Sequence, residues 1–437
     1  MPQLLRVTAI AEAFPEGQKT TAFVMEYDCE IDLAGYSAEL FAVLDRSLEP
    51  RIPATSRKIV RAYTNSRPSR ADEGKPGRYI ILETDLSQKE AYAVIPYNSA
   101  GEPDPFGPGP MCYRKPDTPA GKPEPQKGGG PSPQMHYCGP KPLRLMVSQK
   151  EPLPSVTGEV IPASNAPCTQ AIYPDADRFQ LYQYEDIPYN LYIPEDYAPN
   201  RQYPLVLFIP DAGSRGEDVR VPMMQGTGGV VWTLPEEQAK HPCFVVCPAF
   251  GPEDVLTHDD FTCLPKLYKV KGILDEITAA FSIDMDRIYA TGQSMGCMSS
   301  CELMCTYPDY FAGAILVAGQ WDPVRCGKAM CRQNLWILVS DHDRKAHPGM
   351  DAVTAAIEEN GGTVARFRWD GSADEAALNA SAAAALAENA NVRYTIFDGD
   401  TVVPPDEDAN PGSNHVNTWR VAYQISALRD WLLTVHR

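Results

Sequence analysis

The stretch Thr291-Gly-Gln-Ser-Met-Gly296 decides the fold, because it holds a G-x-S-x-G pattern between a predicted strand and a predicted helix. The run 286–290 before it is interpreted as a short buried strand, and residues 297–306 after it, free of Pro and Gly, predict a helix. A serine at such a turn projects its hydroxyl from the sheet edge, and flanking glycines let the backbone turn without a Cβ clash. The N-terminus of the following helix favours negative charge that develops beside the serine. We therefore predict that Ser294 is a nucleophile.

The acidic balance of the chain argues against two classes of partner. Its 437 residues hold 39 Lys and Arg against 57 Asp and Glu, which disfavours nucleic acid and anionic membrane surfaces. The sequence also lacks the run of roughly 18 apolar residues that spans a membrane. Residues 1–150 hold 19 basic and 18 acidic residues, whereas the remainder holds 20 and 39. This asymmetry indicates two regions of different character, in a chain long enough for two domains.

Cysteine usage and the N-terminus both favour a cytoplasmic protein. Residues 1–17 hold one Arg and no continuous apolar segment, so they do not predict a secretory signal, although an exported form whose signal was removed would look the same. Twelve cysteines in 437 residues are too few for a disulfide scaffold. Cys297, Cys301 and Cys305 recur at helical spacing, which indicates a buried apolar stripe rather than a metal site. We therefore expect reduced, buried thiols.

Residues 1–150 are predicted to form a small all-β sandwich. Short strand-like runs alternate there with turn signals, and apolar residues at helical spacing are scarce. Residues 101–140 contain 11 Pro and 8 Gly, a composition that favours an extended loop, which we place at about 99–141. Residues 151–188 are interpreted as a linker and the entry to a second domain.

Residues 189–437 are predicted to form an α/β domain, in which strands alternate with helices. The strands are expected over 189–193, 203–209, 243–247, 312–317, 335–339 and 393–397, in addition to the one before Ser294. The helices are expected over 269–281, 350–359, 373–389 and 420–436, in addition to the one after Ser294. This alternation implies a mainly parallel sheet with helices on both faces.

A nucleophilic serine needs a base to take its proton and an acid to orient that base. In a fold with this turn, the acid and then the histidine follow the serine along the chain, each at the carboxyl end of a strand. Of His342, His347 and His415, only His415 lies between the last predicted strand and the last predicted helix, where the base belongs. The loop after strand 335–339 offers two acids, and we favour Asp343, because Asp341 is better explained as a cap of the turn.

The same reasoning predicts the surroundings of the serine. An oxyanion hole needs two backbone N–H groups, one of them from Met295, which follows the nucleophile. The other is expected from Ala212 or Gly213, in the glycine-containing turn after strand 203–209, with Gly213 preferred. Trp232 and Trp321 are candidates for lining an acyl pocket, with packing beneath loops as the alternative.

Longer motifs carry a resemblance to a known family. They are Tyr189-Asn-Leu-Tyr-Ile-Pro194, Trp232-Thr-Leu-Pro-Glu-Glu-Gln-Ala-Lys-His-Pro242, Ile283-Asp-Met-Asp-Arg-Ile-Tyr289, Gly292-Gln-Ser-Met-Gly296 and His415-Val-Asn-Thr-Trp419 with Tyr423 and Asp430-Trp-Leu-Leu433. With them the segment Tyr189–Arg437 resembles α/β-hydrolase esterases of the predicted-peptidase and polyhydroxybutyrate-depolymerase-like group. Val7-Thr-Ala9 and Phe23-Val-Met-Glu-Tyr-Asp28 are similar to the first strands of EstA-type esterases, which join such a domain to an N-terminal immunoglobulin-like domain.

The resemblance implies an α/β-hydrolase fold preceded by a small immunoglobulin-like sandwich. By position it makes Ser294 the nucleophile, His415 the base and Asp343 the acid. Val339-Ser340 stands where the family usually has the His-Gly of a His-Gly-x-x-Asp pattern, and Pro210-Asp211 stands where relatives have His-Gly before the oxyanion turn. We hypothesise that a carboxylate at position 211 disfavours anionic substrates.

These features predict a serine carboxylesterase that acts on small-molecule esters through an acyl-enzyme, with no metal and no organic cofactor. The first alternative is a serine peptidase of the prolyl-oligopeptidase type. The second is a binding protein on a hydrolase scaffold, which the presence of all three catalytic residue types disfavours. Neither nucleic acid nor a membrane is expected as a partner, and a homo-oligomer is compatible with the sequence.

Overall fold

The described part of the chain is residues 2–98, 100–107 and 137–437 of a computed structural model. It divides into two units: the N-terminal unit ends at Asp177, and the C-terminal unit comprises residues 178–437 together with Tyr137, the first residue of a strand in the N-terminal half of the chain. Most of the loop predicted at about 99–141 lies outside the described residues. No described helix is long and apolar enough to cross a lipid bilayer.

The N-terminal unit is built from strands. Their bounds are β1 (Leu4–Phe14), β2 (Gly17–Ile31), β3 (Phe41–Asp45), β4 (Thr55–Arg57), β5 (Ile59–Asn65), β6 (Gly77–Thr84), β7 (Val94–Tyr97), β8 (Tyr137–Pro140), β9 (Leu145–Gln149), β10 (Leu153–Pro154), β11 (Val160–Ile161) and β12 (Ser164–Ile172). Eight of them form one sheet in the order β4-β3-β9-β12-β1-β2-β6-β5, antiparallel except for the parallel pair of β1 and β12. Side chains on the two faces of β2 enter two different apolar clusters, so both faces of this strand are covered.

The expected linker over 151–188 is wrong, because this segment contributes strands to both units. β12 lies between β9 and β1 in the sheet of the N-terminal unit, with Val7 beside Cys168 and Ile10 beside Ile172. Few apolar residues alternate along β12, and most of its side chains are partly or fully exposed. β12 is held by its pairing with β1 and β9, and its own sequence therefore does not need to indicate a strand.

The C-terminal unit has nine strands and eight helices among its described residues. The strands are β13 (Gln180–Tyr184), β14 (Ile187–Tyr192), β15 (Tyr203–Ile209), β16 (Phe244–Pro248), β17 (Ile283–Gln293), β18 (Gly313–Val317), β19 (Asn334–Ser340), β20 (Val364–Trp369) and β21 (Val392–Phe397). The helices are α1 (Pro235–Lys240), α2 (Lys269–Ala280), α3 (Met295–Thr306), α4 (Pro323–Met330), α5 (Ala346–Glu359), α6 (Glu375–Ala385), α7 (Pro411–Ala422) and α8 (Ser426–Leu432).

One nine-stranded sheet organises the C-terminal unit, in the order β13-β14-β16-β15-β17-β18-β19-β21-β20. In this order, all neighbouring strands from β16 onward pair in parallel. The two antiparallel pairs are β13 with β14 and β14 with β16. Along β19, Ile337 faces the apolar core that α2, α3 and α5 also enter, whereas Trp336 on the other face packs edge-on against Trp431 of α8, with 5.3 Å between ring centroids. The structure thus confirms a mainly parallel sheet with helices on both faces.

The cysteines of α3 and α4, which are Cys297, Cys301, Cys305 and Cys326, are free thiols. Cys297 and Cys301 are fully buried on α3, and the half-buried Cys305 brings its Sγ to 3.7 Å from Sγ of Cys326 on α4. Burial raises the pKa of the Cys243 thiol to about 12. These thiols pack in the core as small apolar groups.

Candidate active site

Ser294 occupies a sharp turn between β17 and α3. Its φ is 52° and its ψ is −117°, a backbone conformation that residues other than glycine rarely adopt. The surroundings enforce this turn, because a Cβ on Gly296 would lie only 1.8 Å from the carbonyl oxygen of Ile209, and one on Gly292 would lie 2.5 Å from Gly296. The two glycines therefore let the serine turn pack directly against the end of β15.

His415 lies within helix α7, where we had expected a loop followed by a helix beginning at residue 420. The Asn410 side chain accepts hydrogen bonds from the N–H groups of Gly412 and Ser413, and Ser413 Oγ accepts one from the Asn410 N–H. Pro411 is the first helical residue, a position that proline favours. The Asn-Pro-Gly-Ser run is thus a capped helix start rather than a turn, and it sets His415 in the second turn of α7.

Three side chains form a continuous hydrogen-bonded chain across this site. Ser294 Oγ lies 2.8 Å from His415 Nε2, and His415 Nδ1 lies 2.5 Å from Asp343 Oδ2. A carboxylate can only accept, so Nδ1 carries the proton and Nε2 is left to accept from the serine hydroxyl. The structure therefore brings the three predicted residues together from α7, the loop after β19 and the turn after β17.

Asp343 is held in place from its other side. Its Oδ1 accepts hydrogen bonds from the N–H groups of Lys345 and Ala346, each at 3.0 Å, and the residue is only 3% exposed. Burial by itself would raise the pKa of the carboxyl group, but the hydrogen bond and charge of His415, with these two N–H groups, outweigh it and lower the pKa. Asp343 is therefore a carboxylate at neutral pH and stabilises positive charge on the imidazole.

The alternative acid and bases lie outside this chain of hydrogen bonds. Asp341 Oδ2 accepts from Arg368 at 2.6 Å, and His342 Nδ1 lies 2.8 Å from a carboxylate oxygen of Asp400. His347 Nδ1 lies 3.0 Å from the Asp341 carbonyl oxygen. Asp341, His342 and His347 thus contact one another or neighbouring charged residues, and not Ser294.

Two further contacts support this arrangement, and the sequence analysis missed the first of them. Ser340, the last residue of β19, donates from Oγ to Asn414 Oδ1 at 2.7 Å, and both residues are fully buried. The contact ties the strand that leads to Asp343 to the helix that carries His415. One turn further along α7, the Trp419 ring packs edge-on against the imidazole with 5.2 Å between centroids. For the contact between Ser340 and Asn414, the sequence signal was only that each residue lies close to Asp343 or His415 along the chain.

The turn after β15 is a single 3-10 turn, Ala212–Ser214, that Asp211 caps with its side chain. Asp211 Oδ1 accepts the N–H of Gly213 at 2.7 Å, so the N–H group that we preferred for the oxyanion hole is already engaged. Ala212 and Met295 each begin a helical turn, so their N–H groups have no acceptor within it. Ala212 and Met295 are thus the better pair of donors.

The two predicted pocket tryptophans are buried in the C-terminal unit, each 1% exposed. Trp232 Nε1 donates to the Gly228 carbonyl oxygen at 2.9 Å, and Trp321 Nε1 donates to Glu302 Oε2 at 2.9 Å. With both faces packed and both N–H groups used, neither indole offers a surface to a ligand. Both tryptophans are therefore packing residues, which was the alternative to a role in an acyl pocket.

Comparison with known proteins agrees with this architecture. Residues 6–162 match the family described as the esterase Ig-like N-terminal domain. The whole chain superposes on the crystal structure of a thermostable esterase with a TM-score of 0.77, covering 99% of this chain and 100% of that one at 24% sequence identity.

Two curated proteins share shorter segments with this chain. Poly(3-hydroxyalkanoate) depolymerase C of Paucimonas lemoignei is 41% identical over 61 residues, which is 14% of this chain. Putative esterase NocK of Nocardia uniformis subsp. tsuyamanensis is 44% identical over 50 residues, or 11% of this chain. In both cases the match spans only 14% of the relative's own length. Residues 6–162 are therefore similar to the immunoglobulin-like N-terminal domain of esterases, and the chain has the fold of the thermostable esterase, in which an α/β-hydrolase domain follows.

Proposed function

We propose that this protein is a serine carboxylesterase that hydrolyses small-molecule esters through an acyl-enzyme. The observation that carries the proposal is the hydrogen-bonded chain from Ser294 through His415 to Asp343, with the serine on a strained turn. The names of the similar proteins, two esterases and a depolymerase, point in the same direction.

In the acylation step, Ser294 Oγ attacks the ester carbonyl carbon while His415 Nε2 takes the hydroxyl proton. The carbonyl oxygen becomes an oxyanion and receives hydrogen bonds from the N–H groups of Ala212 and Met295. Asp343 holds Nδ1 of the imidazole and stabilises the imidazolium. The tetrahedral adduct then collapses, and His415 passes its proton to the departing alkoxide, which leaves as an alcohol.

In the deacylation step, the same groups act on water. His415 Nε2 accepts a proton from a water molecule as the water oxygen attacks the acyl carbon. The second tetrahedral adduct uses the same two backbone donors, and its collapse returns the proton to Ser294 Oγ. The product is a carboxylic acid, and no step needs a metal ion or an organic cofactor.

The test separates an esterase from a peptidase and from a binding protein. A fluorophosphonate probe is applied to wild type, to Ser294→Ala and to Ser282→Ala, a control at the residue before β17. Hydrolysis of p-nitrophenyl acetate is measured beside that of the matching p-nitroanilide. We expect labelling of wild type and the control but not of Ser294→Ala, with turnover of the ester alone.

Each other outcome has a distinct meaning. Comparable turnover of the anilide would make the protein a peptidase, because an amine is a poorer leaving group than an alkoxide and needs protonation and positioning. Absence of labelling in wild type would leave a binding protein on a hydrolase scaffold. Labelling of Ser294→Ala as strong as that of wild type would exclude Ser294 as the nucleophile.

A further inference from the structure

Asp211 is a buried carboxylate beside the predicted oxyanion hole, at a position where the resembled family usually has glycine. It is 6% exposed, and three N–H donors and the Ser214 hydroxyl group, which also contacts Gln225 Oε1, surround its side chain. Oδ1 accepts from the Gly213 N–H at 2.7 Å and from Gln225 Nε2 at 3.1 Å. Oδ2 accepts from Gln293 Nε2 at 2.9 Å and lies 3.1 Å from the Ser214 hydroxyl. The neutral side chain of the same size, that of Asn, has only one acceptor oxygen and could not accept at both positions.

These contacts join two segments that are distant along the chain. Gly213 and Ser214 belong to the 3-10 turn after β15, whereas Gln293 is the last residue of β17 and directly precedes the nucleophile. The two proposed oxyanion donors sit just beyond the joined residues, since Ala212 follows Asp211 and Met295 follows Ser294. The carboxylate therefore bridges the two halves of the oxyanion hole.

The peptide planes of the turn are held as well. Arg215 Nε donates to the Ala212 carbonyl oxygen at 2.6 Å, and the Gly213 N–H in the same peptide donates to Asp211, so that plane cannot rotate freely. The Asp211 carbonyl oxygen accepts from the Ser214 N–H at 3.1 Å. Because the Ala212 N–H shares a peptide with that carbonyl group and points the opposite way, its direction is set too.

We propose that Asp211 is a positioning residue that clamps the oxyanion turn to the nucleophile turn and so fixes the spacing of the Ala212 and Met295 N–H groups. The proposal rests on the esterase function proposed above. It replaces the hypothesis that Asp211 repels anionic substrates, because the carboxylate is directed at three N–H donors inside the protein. Preorganised donors act on the charge that develops in the transition state, so the clamp governs kcat more than KM.

An exchange of partners tests the clamp. In Asp211→Asn the amide nitrogen faces Gln293 Nε2, so a donor meets a donor, and in Gln293→Glu two carboxylates face each other. The double variant Asp211→Asn with Gln293→Glu restores a donor opposite a carboxylate. Each protein is assayed for kcat and KM on p-nitrophenyl acetate per fluorophosphonate-titrated site, and for inhibition by a trifluoromethyl ketone, whose hemiketal oxyanion occupies the hole.

Each single variant should lose about 10- to 100-fold in kcat, with the inhibition constant of the ketone rising in proportion and KM changing by less than about threefold. The double variant should recover to within about threefold of wild type in both quantities. Asp218→Asn is the matched control, because Asp218 lies on the same segment and its carboxylate accepts hydrogen bonds from the guanidinium and the backbone N–H of Arg220. It should behave as wild type.

The outcomes separate the two proposals. Wild type that neither labels nor turns over ester would end the esterase proposal and this one with it. An active wild type with Asp211→Asn within about twofold in kcat per site, or a double variant no better than the worse single, would overturn the clamp alone. Should Asp211→Asn fail to fold, Gln293→Met removes the hydrogen bond from Gln293 Nε2 to Asp211 Oδ2 instead. An unchanged inhibition constant of the ketone in that variant would overturn the clamp.

Discussion

Replacing Asp343 by Asn should inactivate Ser294 by imposing the wrong tautomer on His415. Asp343 Oδ1 accepts the N–H groups of Lys345 and Ala346, each at 3.0 Å, and only an oxygen can take that place. The Asn carbonyl oxygen must therefore face these two donors, which turns its Nδ2 towards His415 Nδ1. Since that amide donates, the imidazole proton moves to Nε2, where the serine hydroxyl needs an acceptor at 2.8 Å.

The size of the effect follows from the loss of the general base. A wrong tautomer in a triad with intact geometry costs about 10⁴-fold in kcat, which corresponds to about 5 kcal/mol of transition-state stabilisation. Stability should change far less, because the amide oxygen keeps both backbone hydrogen bonds. A net difference of about 1 kcal/mol in the free energy of unfolding is expected from the altered contact with His415.

The measurement is kcat on p-nitrophenyl acetate at neutral pH, with thermal melts of the same samples. Asp341→Asn is the matched control, an acid in the same loop whose carboxylate pairs with the half-exposed Arg368, and its kcat should stay within about twofold of wild type. A kcat of Asp343→Asn within about tenfold of wild type would refute the tautomer argument. An equal loss in Asp341→Asn would show that the loop responds to any change of charge.

Three further predictions concern pH, packing and the N-terminal unit. Because the pKa of Asp343 is lowered in the fold, its stabilising effect is present above about pH 4 and is lost as the pH falls through the lowered value. The difference in melting temperature between wild type and Asp343→Asn should therefore shrink below about pH 4, and a constant difference down to pH 2 would contradict this. Trp419→Ala removes the ring packed on His415 at 5.2 Å and should lower kcat about 2- to 10-fold, whereas an unchanged kcat would deny the ring a supporting role. Lys141→Met strands the buried Asp45 carboxylate, now 2.9 Å from Lys141 Nζ, and should cost about 3 to 5 kcal/mol in urea unfolding of the N-terminal unit; a cost under about 1 kcal/mol would contradict it.

The sequence predicted those parts of the site that depend on local rules. A strand, a glycine-flanked serine and a helix needed no knowledge of distant residues. The order of acid and base along the chain then led to His415 and to a loop with two acids, Asp341 and the favoured Asp343. The main strands of the C-terminal unit were visible for the same reason, since a strand covered on both faces, such as β15, is a continuous apolar run.

What the sequence left out depends on contacts between distant segments. Gly213 is the exception, because its N–H is taken by the side chain of Asp211 two residues earlier, a local cap that the sequence analysis did not consider. Indoles packed under loops look the same in a sequence as indoles that line a pocket, and so Trp232 was open to both readings. β12 is recognisable only beside β1 and β9, since its residues show no apolar alternation and all but one are partly or fully exposed.

The position of β12 also determines where this gene can be cut and recombined. A break after residue 150 would leave the N-terminal sheet without β12, a strand from its middle, and would leave β12 unpaired in the other fragment. A break between Asp177 and Arg178 keeps every strand of both sheets with its neighbours, and it leaves Arg178 its hydrogen bond to the Thr233 carbonyl oxygen. Residues 178–437 then form one continuous segment that holds the whole nine-stranded sheet and carries Ser294, Asp343 and His415.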